Sequence, residues 1–364
     1  MDPLIYLWIA LGMLGLIGGG ELLVRGASNL ALAAKMPPLV IGLTVVALGT
    51  SAPELAASIK ACLAGASDLA VGNVVGSNLA NLLLVLGASA IAAPLAVNIK
   101  LFRLDIPVMI GVATALYLMG RDGVLSAGEG MLMTFGLAGY LGWTVYEGRR
   151  ESKRLSKEFE GLTPLPEGSP TSVKFLVTSV VMFLVGLVTL IVGADWLVFG
   201  CRELALAFGV SDLVVGLTVV AIGTSMPELV ISVLACLRGK RDLAVGNVVG
   251  SNILNVLAVL GISSTVAPAG IVVDAPSLAF HVPLMIAVSA ACMPIFLSGL
   301  SITRGEGVAM LLFYFAYIGF LVYQSVVTKT QPGVTELLWF LAPLALGLLA
   351  VLAVSRREKA MRLG

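Results

Sequence analysis

Apolar residues in this chain come in long blocks separated by short polar interruptions, with neither the alternation of a half-buried strand nor the single stripe of a soluble helix. A bilayer crossing takes about 20 mostly apolar residues. Eleven blocks are of that order, near 4–24, 37–63, 70–93, 104–120, 128–147, 173–196, 211–237, 244–267, 278–299, 305–327 and 335–354. The pattern predicts an all-α polytopic membrane protein. Composition excludes a soluble fold, because 59% hydrophobic and 12% charged residues over 364 positions leave too little polar surface. The first block opens Met1-Asp2-Pro3 with no basic stretch before it and no small-residue cleavage pattern behind it, so a span is expected rather than a removed signal.

The few charges set the expected orientation. Lys and Arg accumulate in short cytoplasmic loops, and eleven spans with the N-terminus outside leave only Lys60, Arg121, Arg202 and Lys329 on the outer side. The tail carrying Arg356, Arg357, Lys359 and Arg362 then lies inside, in a bacterial or archaeal cytoplasmic membrane. The polar run from Glu147 to Lys174 reads as an inner linker. The net charge of +1 names no partner; the lipid bilayer is expected as one, and nucleic acid is not.

Two segments are repeated. GLTVVALGTSAPEL at 42–55 returns as GLTVVAIGTSMPEL at 216–229, and DLAVGNVVGSN at 68–78 returns unchanged at 242–252, both at an offset of 174. Five spans separate the copies, so they cross the membrane in opposite senses, as an inverted repeat. The expected units are a five-helix half over 1–147, a cytoplasmic linker over 148–172, an inverted five-helix half over 173–327 and an extra span over 335–354. Between the motifs Ala64, Ala66 and Ser67 become Arg238, Lys240 and Arg241, the change required if one loop faces out and its twin faces in.

Each long motif predicts a helix broken in mid-membrane. Pro53 and Pro227 lack an amide hydrogen and clash with the carbonyls of Gly49 and Gly223. Ala47, Thr50, Ser51 and Glu54 share a helical face, as do Ala221, Thr224, Ser225 and Glu228, so oxygen atoms gather beside each carboxylate. The next span adds the stripe Asn73, Ser77 and Asn81, matched by Asn247, Ser251 and Asn255, with interleaved glycines that allow close helix contact.

Every donor in these motifs is oxygen, which suits Ca²⁺ or Na⁺ and disfavours Zn²⁺ or Cu⁺. A carboxylate at the bilayer centre costs on the order of 3 kcal/mol or more when uncompensated. Two are neutralised by one Ca²⁺, two Na⁺ or two protons, so occupancy by one class excludes the other, which is the logic of counter-transport. A channel would need a continuous pore and gains little from opposed broken helices. An intramembrane enzyme would need a nucleophile or a lipid-phosphate site, and neither is visible. No catalytic residue and no cofactor is expected.

GTSAPEL with GNVVGSNLAN, and GTSMPEL with GNVVGSNILN, resemble the two α-repeats of the sodium/calcium exchanger superfamily, closest to its bacterial calcium/sodium or calcium/proton antiporter branch. The resemblance implies two inverted five-helix halves around a central site of four positions. It implies that Glu54 and Glu228 bind Ca²⁺ directly, that Thr50 and Thr224 help through backbone carbonyls, and that Ala47, Ser77, Ala221 and Ser251 line flanking Na⁺ positions. Asn81 and Asn255 would complete the middle, and the first helix of each half would slide past the rest. The implied activity is export of Ca²⁺ against Na⁺, with Ca²⁺/H⁺ exchange through protonation of Glu54 and Glu228 as the alternative. Two features depart from the family pattern: Asn255 stands where sodium/calcium exchangers usually carry Asp, and the eleventh span exceeds the usual ten.

Outside the motifs, Glu21 and Asp195 are equivalent at the same offset and read as helix-end solvation, with gating or ion entry as the alternative. The four cysteines form no close-spaced ligand set and read as packing. His281 is assigned no role.

Overall fold

Backbone polar groups in hydrocarbon must be satisfied within their own segment, so an apolar chain of this kind resolves into helices. The computed structural model describes residues 3–96, 98–99, 101–158, 172–208, 221–297 and 301–347. Thirteen helical segments carry the argument: α1 Pro3–Ala33, α2 Pro38–Thr50, α3 Ala52–Leu63, α4 Asp68–Ala92, α5 Arg103–Asp122, α6 Ala127–Glu158, α7 Val173–Ala207, α8 Ala221–Thr224, α9 Met226–Leu237, α10 Arg241–Val266, α11 Ser277–Met293, α12 Arg304–Thr328 and α13 Val334–Gly347. Among the described residues six of them (α1, α4, α5, α7, α10 and α12) are long and apolar enough to cross a membrane, and α2 with α3 makes a seventh, bent span. Burial is inverted relative to a soluble protein. The polar-bearing α10 is wholly enclosed, while α7 turns Leu176, Val177, Val181, Leu184 and Val188 outward, where lipid takes the place of water.

The two halves meet most closely along α1 and α7. Gly12, Gly19 and Gly26 recur every seven residues, and at the repeat offset they become Gly186, Gly193 and Gly200. A methyl group at Gly12 would sit 2.5 Å from the Leu197 nitrogen, at Gly19 2.5 Å from the Leu190 nitrogen, and at Gly186 2.5 Å from the Leu23 nitrogen. Only glycine admits backbones this close. At 31 and 35 residues these helices run about 46 and 52 Å by the α-helical rise, beyond the expected 4–24 and 173–196 and longer than an untilted crossing requires.

Two-residue ladders tie the halves at their ends. β1 (Leu95–Ala96) pairs antiparallel with β4 (Ser301–Ile302), and β2 (Val124–Leu125) with β3 (Ile271–Val272), so each half contributes one strand to each ladder. Local turns repeat as well. After α3 and α9 the chain reverses through Gly65 (φ 79°) and Gly239 (φ 71°), with Ala66 N–H donating to Ala61 O at 3.0 Å and Lys240 N–H to Ala235 O at 2.7 Å. A left-handed glycine with this long-range bond is the usual stop for an α-helix.

One boundary here differs from the sequence reading. α6 continues to Glu158, inside the stretch expected as linker, because its charges form helix-compatible pairs such as Arg150 with Glu147 at 3.4 Å; residues 159–171 lie outside the described ones. α13 is described over Val334–Gly347, about 21 Å of helix by the same rise, and 348–354 of the expected eleventh span and the basic tail lie outside the described residues.

The glycine contact predicts a sharp contrast. Gly19→Val should lower the thermal unfolding midpoint of detergent-purified protein, at a cost of about 3 kcal/mol or more from overpacking. Gly18→Ala, where nothing lies within 4 Å, should leave it unchanged or slightly raised. Equal melting of the two variants would remove the case for close packing.

Candidate cation site at the helix breaks

The bends fall at the two motif serines. Ser51 (φ −82°, ψ 2°) separates α2 from α3 with a bend of 41°, and Ser225 (φ −90°, ψ 6°) separates α8 from α9. Pro53 and Pro227 then sit in the first turn of α3 and α9, where a missing amide hydrogen costs nothing. Glu54 and Glu228 share those first turns, so each carboxylate faces the positive end of its helix.

Both carboxylates are fully enclosed, at 0% exposure, and they lie close enough to act on each other electrostatically. None of their four oxygens has a well-formed hydrogen bond, the Thr50 hydroxyl being a side-chain donor near Glu228. Around them Ser51 Oγ, Ser225 Oγ, Ser77 Oγ, Asn255 Oδ1 and both amide atoms of Asn81 are likewise buried and unpartnered. Buried polar atoms are nearly always paired, and here most of the unpaired ones among the described residues belong to residues singled out from the two motifs. No group of three His, Cys, Asp or Glu suited to a metal is present among the described residues. The donor set is thus two carboxylates supplemented by neutral oxygen, the chemistry of a hard cation.

The remaining expected residues are placed as follows. Thr50 donates to Asn247 Oδ1 at 3.3 Å and lies 3.3 Å from both the Ser251 hydroxyl and the Ala47 carbonyl, while also neighbouring Glu228. Ala47 is fully buried, and Thr224 lines a cavity of about 510 Å³ together with Ser77 and Asn73. The Ala221 side chain lies outside the described residues. Asn73 Nδ2 donates to Ser58 Oγ at 3.1 Å and to the Glu54 carbonyl at 3.3 Å; its twin Asn247 donates to Ser232 Oγ at 3.2 Å. These asparagines hold the broken helices against α4 and α10, and are not free ligands.

Several site features are absent from the sequence reading. Asn78 Nδ2 donates to the Asn252 carbonyl at 3.2 Å and Asn252 Nδ2 donates to the Asn78 carbonyl at 3.3 Å, a self-complementary pair across the axis relating the halves. Asn78 Oδ1 also accepts from Asn255 Nδ2 at 3.0 Å, which aims the free Asn255 oxygen. The signal was available, since both residues end the identical GSN of each copy. Wider π-helical turns begin at Asn81 and Asn255, over Asn81–Val85 and Asn255–Leu260. Such turns cluster at functional sites and re-aim side chains. Glu21 is also corrected: it lies well inside α1, not at a helix end, and pairs with Arg25 at 2.6 Å and Arg238 at 2.8 Å.

The asparagine pair yields a stability test. Asn78→Ala and Asn252→Ala should each cost about 1–3 kcal/mol, the usual penalty for a buried unpaired partner, and the double variant should deviate from additivity in thermal unfolding. Strict additivity would deny that the two form one unit.

The family model described as sodium/calcium exchanger protein matches residues 4–146 and 178–323. A protein of Alkalimonas amylolytica named as a candidate antiporter, CaxA, is 37% identical over 314 residues, covering 85% of this chain and 96% of that protein. The sodium/calcium exchanger MaX1 of Methanosarcina acetivorans is 32% identical over 346 residues, covering 87% and 98%. The structure of the sodium-calcium exchanger NCX_Mj soaked with zero Na⁺ and Ca²⁺ superposes with a TM-score of 0.74 at 31% identity, over 88% of this chain and all of that one. With the model matched through both halves and relatives aligned over nearly their full length, the chain belongs to the sodium/calcium exchanger protein family.

Proposed function

We propose that this chain is a secondary antiporter that exports Ca²⁺ in exchange for Na⁺ by alternating access to the centre between the two helix breaks. The observation that carries the reading is the pair Glu54 and Glu228, both at 0% exposure and near each other, with no cationic side chain among the described residues to compensate them. Such a pair needs cations before the protein changes facing, since an empty site holds two negative charges in apolar surroundings. Ca²⁺ supplies both charges at once and takes the carboxylate, amide and hydroxyl oxygens of Ser51, Ser225, Asn81 and Asn255 in its flexible shell. Thr50 and Thr224 contribute through the helix breaks; Ala47, Ser77, Ala221 and Ser251 flank the centre, where Na⁺ binds. Filling by Na⁺ replaces Ca²⁺, so the two move in opposite directions. The halves 1–147 and 173–327 form the transport core, with the N-terminus outside by the distribution of Lys and Arg.

A second reading has its own observation. Asn255 supplies an amide where a third acid is usual, and two carboxylates alone are also neutralised by two protons, which supports Ca²⁺/H⁺ exchange.

Uptake of radioactive Ca²⁺ into sealed proteoliposomes separates these readings. An outward Na⁺ gradient at equal pH should drive uptake, and a pH gradient without Na⁺ should not; the reverse result transfers the assignment to protons. Glu54→Gln and Glu228→Gln should each lower the exchange rate at least about a hundredfold, the loss of roughly 3 kcal/mol in cation stabilisation. Retention of most of the flux in either variant would place Ca²⁺ elsewhere.

A further inference from the structure

The two halves are equivalent in sequence but not in contact, and the difference involves charges outside the central site. On one side α1 closes against α9: a methyl group at Gly20 would meet Leu234 Cδ1 at 2.7 Å and Val230 Cγ1 at 3.0 Å. One turn beyond Leu234, Arg238 grips Glu21, with Nε at 3.0 Å and Nη2 at 2.8 Å from Oε2. At the repeat offset Gly20, Glu21 and Leu234 become Ala194, Asp195 and Lys60. Arg238 becomes Ala64, but the cation has only moved one helical turn, to Lys60 in the last turn of α3. Asp195 and Lys60 are both exposed and form no ion pair with each other. A carboxylate part-way along a membrane-spanning helix is costly without water or a cation beside it.

We propose that Glu21–Arg238 and Asp195–Lys60 are alternating ion-pair latches, positioning residues of the transport cycle that each hold one face of the protein shut. In the arrangement seen here α1 rests on α9 and the first latch is made. When α1 and α7 shift together, as their interlocked glycines require, the inverted relation of the halves brings α7 onto α3, setting Asp195 beside Lys60 as Glu21 leaves Arg238. The four residues touch no transported ion. Their role is to equalise the two facing states, since a pair made only at one end would bias the protein toward that end. Arg25, on α1 itself, also partners Glu21 at 2.6 Å and travels with it. This inference rests on the alternating-access reading above.

The test uses the full chain in liposomes, with Cys62, Cys201, Cys236 and Cys292 replaced by Ala and two cysteine pairs introduced separately and together: Glu21→Cys with Arg238→Cys, and Asp195→Cys with Lys60→Cys. A bifunctional methanethiosulfonate should link either pair, and linking the first should slow linking of the second at least about tenfold. Both links should stop Ca²⁺ flux, with recovery on reduction. In the protein retaining Arg238, Glu21→Gln should raise linking of the 195/60 pair by about threefold to fivefold, the scale of a partly exposed ion pair. A Glu21–Arg238 pair with a merely structural role would leave linking of the distant 195/60 pair unmoved, so the linking rate is the readout that separates the two roles. Simultaneous linking of both pairs in one molecule, or no 195/60 linking in a variant that still exchanges ions, would overturn the proposal. Mutually exclusive linking in a protein without Ca²⁺ flux would instead sustain the latches and remove the ion assignment.

Discussion

Two carboxylates held away from water, with no cation of the protein beside them, set the terms for the rest of this fold. A soluble protein would pair each with an arginine or raise it to the surface. Here both remain at the centre, 0% exposed, and the surrounding oxygens of Ser51, Ser225, Asn81 and Asn255 share their lack of partners. The helix breaks, the asparagine supports and the enclosure of α10 all serve to keep that unbalanced charge in place. On the antiport reading proposed above, the stabilising partner comes from outside the chain and leaves again.

Much of this was legible in the sequence because its causes are local. Proline within an apolar run dictates a break, and the helical period then places hydroxyls beside the acid; Ser51 and Ser225 bend as the motif requires. The helical, multi-span class followed from block length, although only six described helices, or seven with the bent pair, are of crossing length against eleven expected blocks, and block edges misjudged α1, α6 and α7, whose helices outlast their most apolar stretches because flanking polar residues still bond well along a helix. What escaped notice depends on the relation between halves. The Asn78–Asn252 exchange needs two segments to meet across an axis, and the π-helical turns at Asn81 and Asn255 have no compositional mark. The glycine ladder of α1 and α7 was present as a seven-residue spacing, but glycine inside apolar blocks draws no attention until a facing backbone is known.

The departure from family pattern at Asn255 is more than the loss of an acid. Its amide donates to Asn78, so one side of the residue is committed to holding α4 against α10 while the other offers oxygen to the centre. An aspartate could not donate that bond. One residue therefore both ties the two central helices together and keeps a buried oxygen without a partner.

The crossed ladders β1·β4 and β2·β3 bear on how the protein comes into being. Leu95 finds its strand partner only when Ile302 has been made, and Gly12 meets its facing backbone only after Gly193 emerges. During synthesis the N-terminal helices must wait in the lipid with glycine faces uncovered and both asparagines unmatched. The glycine contact can therefore form only once about half of the chain has been made, and the Leu95–Ile302 ladder only near its end.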